Sequence, residues 1–378
     1  MGDVTHKPDC TCLGRREFIK AAGGGVAALA AGSSLATVPG LAAEQMNQSE
    51  HSPGIPTKLR IDIHGHIYPL DYLDLLDRLG GSPTGTRIAR IAKGSGSPEE
   101  LESRFQMMDR AGVKMQVLSC APQLPYFEKK ESAIEAARFI NDSYANYVNK
   151  YPDRFVAYGT VPLPHVDAAL EEMARCLDKL NMVGITMGTS VLTKSVADSA
   201  FDPFWEEMNR RGTILFFHPI GLGACSSLIQ DLDLTWPIGA MIEDTVVVGH
   251  LVAKQIPQRF PRVRIIVPHL GGDISMQIFR IDNQKFLFLP AEAEKPSVTV
   301  KRLWFDTVGH AYPPALRVAC EALGADRFLL GSDYPYETGE LYQRCVDFVK
   351  DPASGLTVDQ AEAILDRNAQ AMFRLTRK

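Results

Sequence analysis

The sequence predicts an α/β fold, a (β/α)8 TIM barrel. Its 378 residues are 45% hydrophobic and 22% charged, a composition typical of a globular protein with a large core. From residue 59 onward, short apolar runs rich in β-branched residues alternate with amphipathic stretches of helical period. Histidine and aspartate side chains stand at the ends of several of these runs. This alternation indicates a parallel sheet with helices outside it.

The strand-like runs and the stretches between them account for a complete barrel. Strands are predicted at 59–64, 113–119, 155–161, 183–187, 213–218, 264–269, 303–308 and 328–332. Helices are predicted at 98–111, 132–151, 167–180, 203–211, 241–259 and 313–323. Eight βα units favour a closed barrel over an open sheet. The insertion 68–96 is expected to overhang the top of the barrel, and the tail 357–375 is expected to be a helix packed outside it.

The first 43 residues have the composition of a twin-arginine signal peptide. Arg15 and Arg16 precede a weakly hydrophobic run of mostly Ala and Gly at 21–38, and Gly40 and Ala42 supply small residues for a signal peptidase. The run is too short and too rich in Gly to predict a stable membrane span. We therefore assign 1–43 to the leader, 44–57 to a linker and 58–378 to the barrel, and expect a periplasmic or extracytoplasmic location.

Charge and cysteine content exclude several other classes of protein. The net charge of −5 comes from 40 basic and 45 acidic residues spread along the chain without a basic run, which argues against nucleic acid as a partner. Seven cysteines occur without a CxxC pair, so neither a zinc knuckle nor a disulfide framework is indicated.

Five side chains at four predicted strand ends point to a metal site. His64 and His66 end the first strand and, being two residues apart, project to the same side. His218, His269 and Asp333 end the fifth, sixth and eighth strands. Because barrel enzymes place their active sites at the carboxyl ends of the strands, these groups are predicted to converge. Neutral imidazoles with one carboxylate suit zinc and leave a coordination position open.

At these residues the chain resembles the amidohydrolase-related branch that contains 2-amino-3-carboxymuconate-6-semialdehyde decarboxylase and aromatic-acid decarboxylases. The resemblance runs from 61 to 373 and is carried by 61–66, 104–119, 154–164, 217–219, 269–272 with Arg280, 331–336 and 339–340. It implies a TIM barrel of the metal-dependent hydrolase type. It also implies a non-oxidative decarboxylase of an unsaturated or aromatic carboxylic acid, so the expected partner is a small-molecule carboxylate substrate.

The resemblance implies that His64, His66, His218 and Asp333 hold one divalent ion, zinc in preference to manganese. The fourth strand leads into 188–190 without a lysine that could bridge a second metal. His269 would be the catalytic group that deprotonates and orients a water molecule at the metal, with a fifth-ligand role as the alternative. Asp333 would be catalytic as well, because it would help to shuttle the proton.

Four further residues are candidates for substrate binding. Arg280 resembles an arginine that reaches the carboxylate in a neighbouring subunit, which implies a homodimer; otherwise it is a charge on an outer helix. Arg87 and Arg90 lie in the insertion, where the branch carries another carboxylate-binding arginine; otherwise they are solvated loop charges. His310 follows the seventh strand and is expected to line the pocket, with a surface or supporting role as the alternative.

Two other functions use the same residues. A metal-dependent hydrolase of a lactone, ester or amide needs the same ligands and base. A metal-binding protein without activity is a third reading, which the open coordination position argues against. The chain also departs from the branch, since 219–221 replaces a tryptophan beside the substrate and Tyr336 stands where phenylalanine is expected. Substrate identity is therefore left open.

Overall fold

The computed structural model describes residues 59–81 and 85–374. The predicted signal peptide and linker lie outside the described residues. Eight parallel strands form the central sheet and follow one another in chain order. They are β1 (Arg60–His66), β2 (Val113–Ser119), β3 (Phe155–Gly159), β4 (Gly184–Gly188), β5 (Ile214–His218), β6 (Arg264–Val267), β7 (Trp304–Asp306) and β8 (Phe328–Leu329).

The sheet closes on itself through the segment that follows β8. The Ile63 N–H donates to the Leu330 carbonyl at 2.8 Å, and the His66 N–H donates to the Tyr334 carbonyl at 2.8 Å. Gly65 also bridges to Tyr334 in parallel fashion. This seam, formed by 63–66 and 330–334, completes the barrel and confirms the predicted fold class.

Helices follow the strands and cover the outside of the barrel. Helix α3 shows the local reasons clearly, because the Ser97 side chain accepts the Glu100 N–H, Pro98 opens the first turn and acidic residues lie near its amino end. The helices are α1 (Leu70–Arg78), α2 (Arg87–Ala92), α3 (Pro98–Arg110), α4 (Lys130–Lys150), α5 (Val166–Asp178), α6 (Asp202–Arg211), α7 (Ser227–Gln230), α8 (Ala240–Ala253), α9 (Ile256–Arg259), α10 (Ile274–Gln284), α11 (Pro296–Thr299), α12 (Pro313–Leu323), α13 (Glu340–Asp347), α14 (Val358–Glu362) and α15 (Asn368–Phe373).

Some elements differ from their predicted bounds. The helix predicted over 241–259 is divided into α8 and α9, since Gln255 adopts a left-handed backbone conformation with φ 52°. The insertion after β1 forms helices α1 and α2, and a small antiparallel hairpin pairs Ser190–Val191 with Lys194–Ser195. Within 59–81 and 85–374, none of the helices is long and apolar enough to cross a membrane.

Aromatic rings pack against one another inside the barrel, together with aliphatic side chains. The ring centroids of His64 and Phe216 lie 4.9 Å apart, Tyr158 stacks on Phe216 at 5.0 Å, and Phe373 lies 6.1 Å from Tyr158. The Asn368 amide donates to the carbonyl of Phe328, the first residue of β8. The tail therefore closes the amino end of the barrel, which corrects the expectation that it packs outside.

Candidate metal centre

The two histidines of β1 lie inside the barrel with their ring nitrogens already oriented. His64 and His66 are fully buried. The His64 Nδ1–H donates to Asp306 Oδ2 at 2.6 Å, and the His66 Nδ1–H donates to the Ser119 carbonyl at 3.0 Å. Because each Nδ1 is occupied by a protein acceptor, each Nε2 is left for the centre of the barrel.

His218 and Asp333 approach the same point from β5 and from the segment after β8. The His218 Nδ1–H donates to the carbonyl of the following residue, Pro219, at 2.8 Å. Asp333 has a left-handed backbone, with φ 62°, and its N–H donates to the His64 carbonyl at 2.9 Å. This conformation turns the carboxylate back toward the histidines.

The four side chains form a group that can hold one cation. Each offers a donor atom, and these atoms all lie within 4.8 Å of one another. Asp333 Oδ1 is 3.1 Å from His64 Nε2, 3.0 Å from His66 Nε2 and 3.8 Å from His218 Nε2. The Nε2 atoms of His64 and His218 are buried without a hydrogen-bond partner among the described residues. Such atoms are costly unless something binds them, so the set fits a single divalent ion.

Burial and charge set the protonation of this group. Burial lowers the pKa of His66, and it lowers the pKa of His218 to about 3, so both imidazoles are neutral and able to bind a cation. Burial also opposes the charged form of His64, but the carboxylates of Asp333 and Asp306 outweigh it and raise that pKa to about 9. Burial disfavours the charged form of Asp333, but the positive charge of His64 and the other nearby imidazoles outweigh it and lower that pKa.

His269 lies beside the cluster and is also buried. Its Nε2 is 3.6 Å from Asp333 Oδ2, and its Nδ1–H donates to Asp244 Oδ2 at 2.8 Å. Burial lowers the pKa of His269, but the nearby charges of Asp244 and Asp333 outweigh it and raise the pKa well above its ordinary value. An imidazole that keeps a proton beside a cation site can exchange protons with a bound molecule.

The other four predicted residues are not members of the ligand group. His310 is largely exposed, and its Nδ1–H donates to the buried carboxylate of Glu337 at 2.6 Å. Arg90 pairs with Asp74 and Asp77 inside the insertion, each at 2.8 Å. Both carboxylates belong to helix α1.

The remaining two arginines are exposed in the single chain. Arg87 lies 3.7 Å from Asp233, and both of these side chains are mostly solvated. Arg280 lies on the solvent side of α10. None of the three arginines joins the cluster. The predicted residues that the structure brings together are His64, His66, His218, His269 and Asp333.

Several residues that shape the centre were not predicted. Asp306 receives the His64 Nδ1–H, and its Oδ1 also receives the His269 N–H at 2.8 Å. Asp306 ends β7, as the predicted ligands end their strands, so its sequence position could have identified it as a site residue. Asp244 stands in the first half of α8, a helix of mostly apolar residues, and the strand-end pattern does not point to it.

Two tyrosines form a wall beside His66. The Tyr68 ring stacks on His66 with centroids 5.6 Å apart, and the Tyr336 ring is 5.8 Å from His66. The Tyr68 hydroxyl donates to the Ala121 carbonyl at 2.6 Å and lies 3.2 Å from the Tyr336 hydroxyl. Tyr336 therefore presents an aromatic face and a hydroxyl group next to a predicted metal ligand.

Proteins of known activity are similar to this chain over most of its length. The 2-amino-3-carboxymuconate-6-semialdehyde decarboxylase of Dictyostelium discoideum is 27% identical over 304 residues, covering 75% of this chain and 83% of that protein. The gamma-resorcylate decarboxylase of Rhizobium sp. is 30% identical over 296 residues, covering 72% of this chain and 87% of that protein.

Solved structures share the fold. The 2,6-dihydroxybenzoate decarboxylase in complex with 2,6-dihydroxybenzoate matches with a TM-score of 0.70 and 25% identity, over 85% of this chain and 100% of that one. A dihydroxybenzoic acid decarboxylase from Polaromonas sp. JS666, with bound manganese and 2-nitroresorcinol, matches with a TM-score of 0.72 and 22% identity, over 85% of this chain and 98% of that one.

A family model described as amidohydrolase matches residues 61–375. The match spans the whole barrel, from the first histidine pair to the last helix. It agrees with the resemblance inferred from the strand-end residues, which is thereby confirmed. The chain belongs to the amidohydrolase family.

Proposed function

We propose that the protein is a metal-dependent carboxy-lyase that removes CO2 from an aromatic or unsaturated carboxylic acid without oxidation. The observation that carries this proposal is the placement of His269 Nε2, 3.6 Å from Asp333 and beside the buried cluster of three histidines and one carboxylate. The similar decarboxylases support it, because they combine this fold with the same reaction type.

The arrangement suits decarboxylation chemically. A divalent ion in the cluster would act as a Lewis acid toward the oxygens of the substrate. When the bond to the carboxyl group breaks, its electron pair stays on the substrate carbon, which then takes a proton. His269 would move that proton at Nε2 between a water molecule and the carbon. Tyr336 and Tyr68 would confine a planar substrate beside His66.

Zinc is the ion that we propose, with manganese as the alternative. Three imidazoles and one carboxylate are a common zinc ligand set, whereas the Polaromonas neighbour contains manganese. Elemental analysis of the purified protein, followed by reconstitution of the metal-free protein with each ion, would decide between them. Full activity with manganese alone would overturn the assignment to zinc.

The reaction can be tested with a panel of hydroxyaromatic acids, unsaturated acids and lactones, by following CO2 release and product mass together. We expect metal-dependent CO2 release that His269→Ala reduces by about 10²–10⁴-fold, the usual range for loss of a general acid or base. His250→Ala is the matched control, because that exposed histidine hydrogen-bonds the Ser195 hydroxyl and is not a member of the ligand group. A product heavier by one water, with no CO2, would make the protein a hydrolase.

We also propose a homodimer that forms through α10. This helix exposes Met276 and Phe279, and Phe286 and Leu287 follow it, with 70–74% of each side chain accessible. Contiguous exposed apolar groups of this kind are typical of interfaces. Arg280 lies on the same helix, so a two-fold contact there could carry it toward the partner's substrate.

Sedimentation velocity tests the dimer. We expect a dimer for the native chain and a monomer for Phe279→Asp, with lower activity if Arg280 acts across the interface. Val358→Asp is the control, since Val358 is also largely exposed but belongs to α14. A native monomer with full activity would contradict the proposal.

For the amino terminus we propose export by the twin-arginine route. The Arg15 and Arg16 pair before the Ala- and Gly-rich run supports it. Cell fractionation with Arg15→Lys/Arg16→Lys as the comparison tests it, and retention of both forms inside the cell would contradict it.

A further inference from the structure

Helix α8 places two consecutive carboxylates inside the top of the barrel. Glu243 is fully engaged, because it accepts the Thr189 hydroxyl and the N–H groups of Ile220 and Gly223 at 2.7–2.8 Å. Asp244 is completely buried, and its Oδ2 accepts the His269 Nδ1–H at 2.8 Å. Its Oδ1 has no hydrogen-bond partner in the part of the chain that the structure describes. The contact with His269 is therefore the main polar contact of this carboxylate.

The backbone around His269 is fixed against the same helix. His269 has a left-handed conformation, with φ 53°, and its N–H donates to Asp306. A side chain at Gly272 would lie 2.4 Å from the Met241 carbonyl of α8, so only glycine permits this approach. The Asp273 N–H donates to Thr245 Oγ1 at 2.8 Å. These contacts hold α8 and the turn after β6 in one relative position, and thereby fix Asp244 at the imidazole.

The geometry limits the states that His269 can adopt. A neutral imidazole carries its proton on only one of its two nitrogens. A carboxylate at Nδ1 favours the form protonated there, which leaves Nε2, the nitrogen that faces Asp333, as the atom that gains and loses a proton. The same carboxylate stabilises the positive imidazolium whenever Nε2 takes up a proton.

We propose that Asp244 is a positioning residue that holds the His269 ring in the form protonated at Nδ1, with Nε2 directed at the reacting molecule. The proposal rests on the function assigned above, since it needs His269 to exchange protons. It adds a second carboxylate behind the imidazole, so that the order in space is Asp333, His269 and Asp244. Nothing in the sequence pattern marks this residue.

The surroundings of Asp244 make a purely structural role unfavourable. Burial raises the pKa of Asp244 to about 7, although His269 opposes the shift. A buried carboxylate with one unsatisfied oxygen costs folding free energy, and the neutral amide of Asp244→Asn avoids the cost of burying that charge. A structural carboxylate would instead be expected to stabilise the fold.

The first experiment compares the metal-loaded Asp244→Asn variant with the native holoenzyme. We expect kcat to fall by about 10²–10⁴-fold, as when the carboxylate behind a catalytic histidine becomes an amide. KM should change by less than about threefold, metal content should stay at that of the native protein, and the melting temperature should not fall. Asp202→Asn on α6 is the control, because Asp202 also has one unpartnered oxygen and pairs with Arg259 outside the barrel.

A second measurement reads the tautomer without using the reaction. In the zinc-loaded protein labelled with ¹⁵N-histidine, we expect a downfield Nδ1–H resonance that disappears in both His269→Gln and Asp244→Asn. Its loss only in His269→Gln, or an unchanged kcat in Asp244→Asn, would overturn the proposal. So would a loss of activity that merely follows a lower melting temperature or lost metal. Absence of CO2 release with the resonance intact would instead overturn the proposed function alone.

Discussion

At the scale of single residues, the four histidines of the barrel mouth share one orientation. Each gives its Nδ1–H to a protein oxygen and turns Nε2 inward. For His66 and His218 the acceptor is a backbone carbonyl, whereas for His64 and His269 it is a carboxylate. Because a carboxylate makes the imidazole more basic than a carbonyl does, His64 and His269 are the more basic of the four rings.

Asp306 is predicted to control metal affinity through His64. In the native chain, Asp306 Oδ1 accepts the N–H groups of His269 and Val308, and Oδ2 accepts the His64 Nδ1–H. In Asp306→Asn one of these two oxygens becomes an NH2 group, which cannot accept. If Oδ1 keeps the two backbone N–H groups, the His64 Nδ1–H loses its acceptor. We expect metal affinity to fall by about 10–100-fold, the usual effect of losing such a supporting group. Competition with a chromophoric chelator measures this, and unchanged affinity would show that the carboxylate is dispensable.

The His310 and Glu337 pair predicts a pH response. The hydrogen bond to Glu337 raises the pKa of His310 above its ordinary value. Stability from this pair should therefore be complete below about pH 6.5, the unperturbed histidine pKa, and should be lost as the pH rises through the folded pKa. NMR titration should show that Glu337→Gln lowers the pKa of His310 and leaves that of His250 unchanged. Equal pKa values in both proteins would contradict the assignment.

The strand-end residues were predictable because a residue at the carboxyl end of any barrel strand lies at the same end of the barrel. His64, His66, His218, His269 and Asp333 needed only the strand positions and the rule that carboxyl ends meet. Asp244 could not be found in this way, since its role depends on how α8 packs against the turn after β6. Nor could the sequence show that Arg90 is paired within its own loop.

At the scale of elements, α8 organises the loop after β5. The N–H groups of 220 and 223 in this loop, and the hydroxyl of Thr189 after β4, converge on the buried Glu243 carboxylate. The loop after β5 begins directly after His218, so the helix sets the position of the polypeptide next to this ligand. The departure from the branch at 219–221 falls in this segment.

Glu243→Gln should loosen that loop. An amide offers one acceptor oxygen, so at least one buried donor loses its partner, which costs about 1–3 kcal/mol. Urea unfolding measures the free energy of unfolding, and Glu206→Gln on the exposed side of α6 should change it by less than about 0.5 kcal/mol. A matched effect in both variants would mean that the convergent hydrogen bonds do not stabilise the fold.

The elements themselves were predicted better than their bounds. Strands β6, β7 and β8 end earlier than the apolar runs that predicted them. The residues after β7 and β8 still bond across the barrel, since the Thr307 N–H donates to the Leu329 carbonyl and the Leu330 carbonyl accepts the Ile63 N–H. Helix α12, by contrast, matches its prediction at both ends, since Pro313 opens it and Gly324 follows it. Tertiary contacts override local pattern mainly where the chain approaches the cluster.

At the scale of the whole molecule, the cluster should link metal binding to folding. An ion bound to the native state alone stabilises it by about 2.7 kcal/mol when free metal is 100 times its Kd. Chelation should lower the free energy of unfolding by a comparable amount, and His218→Ala should abolish most of that metal dependence. Identical unfolding curves with and without chelator would show that the cluster does not hold the ion tightly.

The barrel seam has a consequence for how the enzyme matures. His66 and Asp333 are 267 positions apart in the chain, yet their side chains meet where the first strand joins the segment after the last. A nascent polypeptide therefore cannot present all four ligands until nearly its entire length has left the ribosome. Stable metal loading must therefore follow synthesis. The bound ion then joins the first strand to the segment after the last strand. In the cell, we therefore expect full-length chains to contain metal and chains truncated before Asp333 to lack it.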